Sequence, residues 1–311
     1  MQVRGKRFSI LGAGKSGLAV ARLLKTRRGK IFLSEKNDRD KFKDAIRELE
    51  EIGVEYEFGD NTHRVLEADV IVLSPGVPLD APIVMLAKQQ GIKIISEIEV
   101  AFDVCESPII AITGTNGKTT TTTLTGEIFK RAGWNAFVAG NIGIAFSEIV
   151  DQAKGDKAAV VLEISSFQLD TIDEFRPKVS TILNITPDHL DRYPSYEAYI
   201  QSKFRIVENQ KGHDVFVYNY DDENVRNCAE TVSCRTLGFS IKEELKQGAF
   251  LHGNDIIIKI GREKETLIAR DEIGIPGPHN LMNAMAATLL ARAMGVEYDA
   301  IRETLRTFRG V

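Results

Sequence analysis

The segment that most constrains this chain is Gly114-Thr115-Asn116-Gly117-Lys118-Thr119-Thr120, set between the apolar run Ile109–Thr113 and a helical pattern over 119–132. A glycine-rich turn that leaves a buried strand and opens a helix presents successive backbone N–H groups at the positive end of the helix dipole, where phosphate is favoured. Lys118 is placed to reach the β- and γ-phosphates of a nucleotide, and the Thr119 hydroxyl to hold Mg²⁺. The strict pattern asks for glycine five positions before Gly117; Ile112 stands there, so this is a shorter variant. Such a loop needs a strand before it and a helix after it, which commits its surroundings to an α/β fold.

The rest of the chain agrees. At ~100–200 residues per domain, 311 residues predict two domains. We divide them at 1–105 and 106–311, with Glu106-Ser107-Pro108 as the linker. Apolar runs at 8–11, 30–34, 70–74 and 93–95 alternate with amphipathic stretches at 18–24, 41–52 and 83–90. This pattern predicts a Rossmann-like parallel sheet with helices on its faces. The second series has strands at 109–113, 158–162, 179–183 and 215–218, a β-rich stretch at 250–268 read as a small antiparallel addition, and closing helices at 280–294 and 299–307. The fold class is therefore α/β, a Rossmann-like domain followed by a P-loop-type domain.

A second glycine loop, Gly12-Ala13-Gly14-Lys15-Ser16-Gly17, follows the first strand, and Glu35 ends the next one, near where a dinucleotide site carries its ribose-binding acid. The simple reading is an NAD site. The same geometry binds any nucleoside diphosphate, and a purely structural glycine turn has the same look. Ser74-Pro75-Gly76-Val77-Pro78 makes another rigid turn at that sheet edge.

Phosphate with magnesium calls for a carboxylate. Glu163 ends the 158–162 strand and so lies on the same edge as the phosphate loop. The run Thr186-Pro187-Asp188-His189-Leu190-Asp191-Arg192-Tyr193 follows the 179–183 strand and brings His189 to that edge as well. His63, His213 and His252 have no such context. Ser195 is placed to cap a helix running to about residue 209, whose apolar stripe holds Tyr196, Tyr199, Ile200 and Val207. Lys203 falls on that stripe. A buried amine is costly to keep charged, and a neutral one reacts with CO₂ to give a carbamate, a carboxylate-like metal ligand; snorkelling along the helix edge is the ordinary alternative.

Composition narrows the classes further. A net charge of −4 without a basic block argues against a nucleic-acid surface. Three cysteines without metal-type spacing argue against a disulfide framework or a zinc site. No run approaches the ~18 apolar residues of a membrane helix. The N-terminus enters a strand directly, leaving no room for a signal peptide, so a cytoplasmic protein is expected. The C-terminus follows a helix without a tail, as expected of a cut rather than a natural end.

Taken as a set, Gly114–Thr120, Glu163 through Leu169, Asp188 through Tyr193 and Gly277-Pro278-His279-Asn280 resemble the Mur ligases, the ATP-dependent amino-acid ligases of bacterial peptidoglycan synthesis. Ser165-Ser166-Phe167-Gln168-Leu169, the aspartate-arginine-tyrosine ending and the N-terminal glycine loop look most like the branch that joins D-glutamate to UDP-N-acetylmuramoyl-L-alanine. The resemblance implies two steps, an acyl phosphate formed with ATP and its capture by the D-glutamate amine. It implies that residues 114–120, Asn280 and Asn283 serve ATP, and that Thr119 and Glu163 hold one Mg²⁺. It further implies that His189 and a carbamylated Lys203 hold a second Mg²⁺. Asn141 matches a substrate-contacting position. Gly14, Lys15, Ser16, Ser34, Glu35, Lys36, Ser74, Pro75 and Gly76 would hold the uridine diphosphate. N-capping of the 280–294 helix is the structural alternative for the two asparagines. A monomer is expected. The family has a third, C-terminal domain that brings the amino acid; this chain stops where it would begin, so nucleotide binding with poor turnover is expected. The competing readings are another Mur ligase, a folylpolyglutamate synthase, and a nucleotide-binding regulator that ligates nothing.

Overall fold

Strand–helix alternation places consecutive strands side by side and parallel, because each helix carries the chain back to the starting edge of the sheet. The computed structural model, which describes residues 2–311, has two such sheets. The elements run β1 (Arg7–Leu11), α1 (Lys15–Thr26), β2 (Lys30–Glu35), α2 (Lys43–Glu51), β3 (Glu55–Phe58), β4 (Val70–Leu73), α3 (Pro82–Gln89), β5 (Lys93–Ser96) and α4 (Glu97–Phe102). They continue with β6 (Ile109–Thr113), α5 (Lys118–Arg131), β7 (Asn135–Gly140), α6 (Phe146–Ile149), β8 (Ala158–Glu163), α7 (Ser166–Leu169), β9 (Val179–Ile182) and α8 (Tyr196–Phe204). The chain then forms β10 (Val215–Asn219), α9 (Glu223–Thr231), β11 (Arg235–Ser240), β12 (Gly248–His252), β13 (Asp255–Ile260), β14 (Glu263–Ala269), α10 (Pro278–Ala293) and α11 (Tyr298–Thr307).

The chain forms two compact units, and they do not follow from one cut. The first contains residues up to 105 together with 144–151 and 167–175; the second contains 106–143, 152–166 and 176–311. Glu106-Ser107-Pro108 is ordered, not a slack linker: Ser107 is buried and its hydroxyl donates to the Ala153 carbonyl at 2.7 Å.

In the first unit the sheet order is β3-β2-β1-β4-β5, every pair parallel. This is a doubly wound arrangement, in which ligands bind beyond the strands' C-terminal ends. Leu11, Ile71 and Leu73 pack with Val65 and the inner face of α3, Ile83, Val84 and Ala87. β3 escaped the sequence reading because Glu-Tyr-Glu-Phe is an edge strand with no fully buried residue.

The two later excursions are locked in by acids on α4. Glu99 is buried and its carboxylate accepts the N–H groups of Asp173, Glu174 and Phe175 at 2.9, 2.8 and 3.0 Å. Glu97, fully buried, accepts the Ser147 N–H at 2.5 Å, and burial pushes its carboxyl above the usual range. An orphaned buried donor costs ~1–3 kcal/mol. Of the three bonds only that of Phe175 is buried, so Glu99→Ala should cost ~1–3 kcal/mol, read as a lower urea midpoint; a change below ~0.5 kcal/mol would show that residues 167–175 do not depend on this carboxylate.

In the second unit the order is β14-β13-β12-β11-β10-β9-β6-β8-β7. It is parallel from β7 to β12, and β13 and β14 add the expected antiparallel hairpin. α5 and α10 cover the sheet, with Leu124, Ile128 and Phe129 meeting Ala284, Met285 and Leu289 in one core with Ile110 and Ile112. The Phe250 stretch begins at β12, which pairs in parallel with β11 through Gly238↔Gly248. Any side chain at Gly248 would overlap the Gly238 carbonyl.

Candidate active site

In the second unit β6 ends at Thr113 and the glycine loop turns into α5 through Gly117, whose φ of 83° is the left-handed region that favours glycine. A Cβ there would also press on the Asn283 side chain at 2.5 Å. The sequence placed Lys118 on this loop, and the structure shows where its amine goes. Nζ folds back to the Gly114 and Thr115 carbonyls at 3.0 and 2.9 Å. Desolvation lowers the Lys118 pKa from the ordinary lysine range, against the opposing pull of Glu163 and Asp188.

Glu163 sits at the end of β8 and is buried. One carboxylate oxygen accepts from the Thr119 hydroxyl at 2.8 Å and the other from the Asn141 amide at 2.9 Å. The Asn141 N–H also donates to the Glu163 carbonyl at 2.8 Å. This close approach needs Gly140, where a Cβ would sit 2.2 Å from that same carbonyl oxygen. Phosphate loop, carboxylate and the Asn141 loop are therefore joined through one side chain.

Lys203 is buried, as the stripe predicts, although α8 ends at Phe204 and passes into a tighter turn to Val207 rather than running on to 209. Ser195 caps the helix, accepting the Ala198 N–H at 3.2 Å. The Lys203 Nζ lies 4.7 Å over the Tyr199 ring and donates to the Gly114 carbonyl at 3.0 Å, the same oxygen that Lys118 meets. His189 is exposed, with a φ of 53°, and its ring centroid is 6.3 Å from that of Tyr199. Tyr199 thus faces both His189 and Lys203, while its hydroxyl pairs with Thr115 at 3.1 Å. The helical stripe marks Tyr199 only as core; its spacing of four from Lys203 is the signal in the sequence for this second role.

Asn184 was also missed. Its side chain accepts from the Asn116 N–H at 2.8 Å and donates to the Asn116 carbonyl at 3.0 Å, clamping the loop. Asn116, Gly117, Asn184, His279 and Asn283 line a small cleft beside it. The capping alternative for Asn280 and Asn283 is corrected: α10 starts from Gly277, and both asparagines lie inside the helix. The chain turns helical earlier than expected because Pro278 is pre-organised for the first helical position. Asn280 donates to the Pro276 carbonyl at 2.9 Å, and Asn283 is buried against Gly117.

Among the described residues no three His, Cys, Asp or Glu side chains gather as a metal cage. Glu163 and Thr119 offer one carboxylate and one hydroxyl, hard oxygen donors of the kind Mg²⁺ takes beside phosphate oxygens. Thr120 follows them in the first turn of α5.

The first unit brings its own three loops together. The Gly12 N–H donates to the Ser34 carbonyl at 2.9 Å, Ser74 Oγ lies 3.4 Å from the Gly12 carbonyl, and Glu35 accepts the Ala13 N–H at 3.0 Å. Gly14 opens α1, with Lys15 and Ser16 in its first turn, and Lys36, Pro75 and Gly76 flank the same edge. The Ser34 hydroxyl is committed to Glu57 at 2.6 Å, and Glu35 also accepts from the Asn37 N–H at 2.9 Å. These two side chains shape the loop, which leaves backbone N–H groups and Lys15, Ser16 and Lys36 as the groups open to a ligand.

Residues 112–291 match the Mur ligase middle domain and residues 6–96 the MurD-like N-terminal domain of Mur ligases. The chain belongs to the Mur ligase family. It is 47% identical to the UDP-N-acetylmuramoylalanine–D-glutamate ligase of Salinibacter ruber, covering 100% of this chain and 69% of that protein. It is 41% identical to the ligase of the same name from Clostridioides difficile, with 100% and 69% covered. Among solved Mur ligase structures, the UDP-N-acetylmuramate:L-alanyl-gamma-D-glutamyl-meso-diaminopimelate ligase from Neisseria meningitides shares the fold, with a TM-score of 0.64 at 19% identity over 98% of this chain and 99% of that one. The UDP-N-acetylmuramate-alanine ligase of Thermotoga maritima shares it with a TM-score of 0.54 at 21% identity, over 98% and 69%. No helix among the described residues is long and apolar enough to cross a membrane.

Proposed function

We propose that this Mur ligase chain carries the ATP and UDP-substrate sites of an enzyme that joins D-glutamate to UDP-N-acetylmuramoyl-L-alanine in the cytoplasm, acting as a monomer. The first unit takes the uridine diphosphate and the second takes ATP. The observation that carries this reading is the Glu163 carboxylate, bonded on one oxygen to Thr119 of the phosphate loop and on the other to Asn141.

The chemical difficulty is that a carboxylate must approach a triphosphate, so the site must neutralise charge. The α5 N-terminus offers backbone N–H groups to the phosphates. Lys118 bonds only neutral carbonyls at 3.0 and 2.9 Å, and a charge-assisted bond is about twice as strong as a neutral one. The phosphates of ATP would therefore be the stronger partners for its amine. Mg²⁺ at Thr119 and Glu163 would screen the phosphate oxygens from the incoming carboxylate. Asn141, tied to Glu163, orients the substrate beside them. Lys203 would take up CO₂: its ammonium first gives one proton to solvent, the neutral amine then forms the N–C bond and releases a second proton, and the resulting carbamate anion would be able to share a second Mg²⁺ with His189. Asn280 and Asn283 face the nucleoside.

Calorimetry tests the substrate assignment. We expect UDP-N-acetylmuramoyl-L-alanine to bind and NAD not to. Tight NAD binding without UDP-sugar binding would end this reading.

A further inference from the structure

The segment between β9 and His189 is held from two sides. On one side it is stitched to the phosphate loop: Asn184 clamps Asn116, and the Thr186 N–H and carbonyl both meet the Thr115 hydroxyl, at 3.1 and 3.2 Å. On the other side the Leu183 carbonyl accepts the Asn219 amide at 2.8 Å, and Ile185 makes two further contacts. Its N–H donates to Asp222 Oδ2 at 2.8 Å, and its carbonyl accepts the Tyr196 hydroxyl at 2.8 Å. Asn224 donates to that hydroxyl oxygen at 3.3 Å. Asp222 is the N-cap of α9, where its other oxygen, Oδ1, accepts the Val225 N–H at 3.1 Å.

Capping needs only one acceptor oxygen. The second oxygen of Asp222 reaches across to a different element, 37 residues away in sequence. Ile185 is buried, so its N–H has no solvent to turn to if that oxygen is removed. Three residues further on stands Asp188, then His189 in its left-handed backbone conformation.

We propose that Asp222 is a positioning residue for the His189 side of the metal-binding edge. It fixes the backbone of residues 184–186, and through them the placement of His189. The proposal rests on the reading of His189 as a metal ligand.

Asp222→Asn separates this role from capping. Asparagine caps a helix as well as aspartate does, so Oδ1 keeps Val225. The group facing Ile185 becomes an amide NH₂, a donor set against a donor. Asp222→Ser, which caps with a single oxygen, is the second variant and keeps the test open should the first fold badly. Two measurements read the outcome. Amide hydrogen exchange should accelerate over 185–193 and stay unchanged over 223–231. Mn²⁺ titration in the presence of a non-hydrolysable ATP analogue should show the ATP-associated ion bound within about twofold of wild type, and the weaker second ion losing about tenfold. Unchanged exchange over 185–193, or equal acceleration in both segments, overturns the proposal. So does unchanged second-ion affinity where His189→Gly, a substitution suited to the 53° φ, lowers it. If His189→Gly leaves Mn²⁺ binding intact, the metal reading itself fails and takes this proposal with it, a result distinct from a failure of Asp222 alone.

Discussion

Lys118→Ala lowers ATP affinity by about 100-fold or more, a loss of ~3 kcal/mol, while the protein remains folded. Hydrogen bonds to charged partners contribute ~1.5–3 kcal/mol each, and an ammonium carries three donors for phosphate oxygens. The same amine bonds the Gly114 and Thr115 carbonyls of its own loop, so no other element of the fold depends on it. The sign of the pH dependence follows from burial. Desolvation holds the Lys118 pKa below its ordinary 10.5, so as the pH rises toward that lowered value a growing fraction of the amine is neutral. A triphosphate favours the ammonium. ATP binding should therefore take up protons in that window, and affinity should fall as the pH rises through it; Lys118→Ala should show neither effect. Between the lowered value and 10.5 the unfolded chain binds more protons, so folding stability from this group rises with pH there. Calorimetry in buffers of different ionisation enthalpy measures the uptake. Unchanged ATP binding in the variant would refute the phosphate-loop assignment.

Lys203→Ala, made in a protein extended to the full length of the relatives, should lose activity by about 10³-fold, the scale of removing one electrostatic contact to a developing charge. Formate or acetate should restore part of it by supplying the missing carboxylate. The geometry explains why so large an effect is expected from one amine. Lys203 is buried, lies over Tyr199, and donates to the Gly114 carbonyl at the base of the phosphate loop. Wild-type protein incubated with ¹³C-bicarbonate should give a carbamate carbon resonance that the variant lacks. Full activity in the variant would rule the carbamate out. Lost activity with neither rescue nor resonance would assign Lys203 a role as a plain cation.

Some of this was legible residue by residue. The α/β class followed from apolar runs at strand length alternating with helical stripes, and the antiparallel hairpin of β13 and β14 from its β-branched run. Lys203 was found to be buried by counting along α8, because helical period is a local property. What escaped were elements whose residues do not carry their own signal. β7 (Asn-Ala-Phe-Val-Ala-Gly) is bounded by, and β11 (Arg-Thr-Leu-Gly-Phe-Ser) contains and ends in, residues that ordinarily mark turns, and they are strands because neighbouring strands supply their hydrogen bonds. α6 and α7 are single turns, too short to show a period. Glu97 and Glu99 carry no local mark of burial, and packing buries both.

The sequence alone determined the loops, the alternation around them and the side on which Lys203 falls, since each depends on residues within one or two turns of each other. Tertiary structure decided what those residues meet. Thr119 bonds Glu163 across 44 positions and Lys203 bonds Gly114 across 89. These meetings are set by β6 lying between β8 and β9 in the sheet, an order that local propensity and hydrophobic period do not encode.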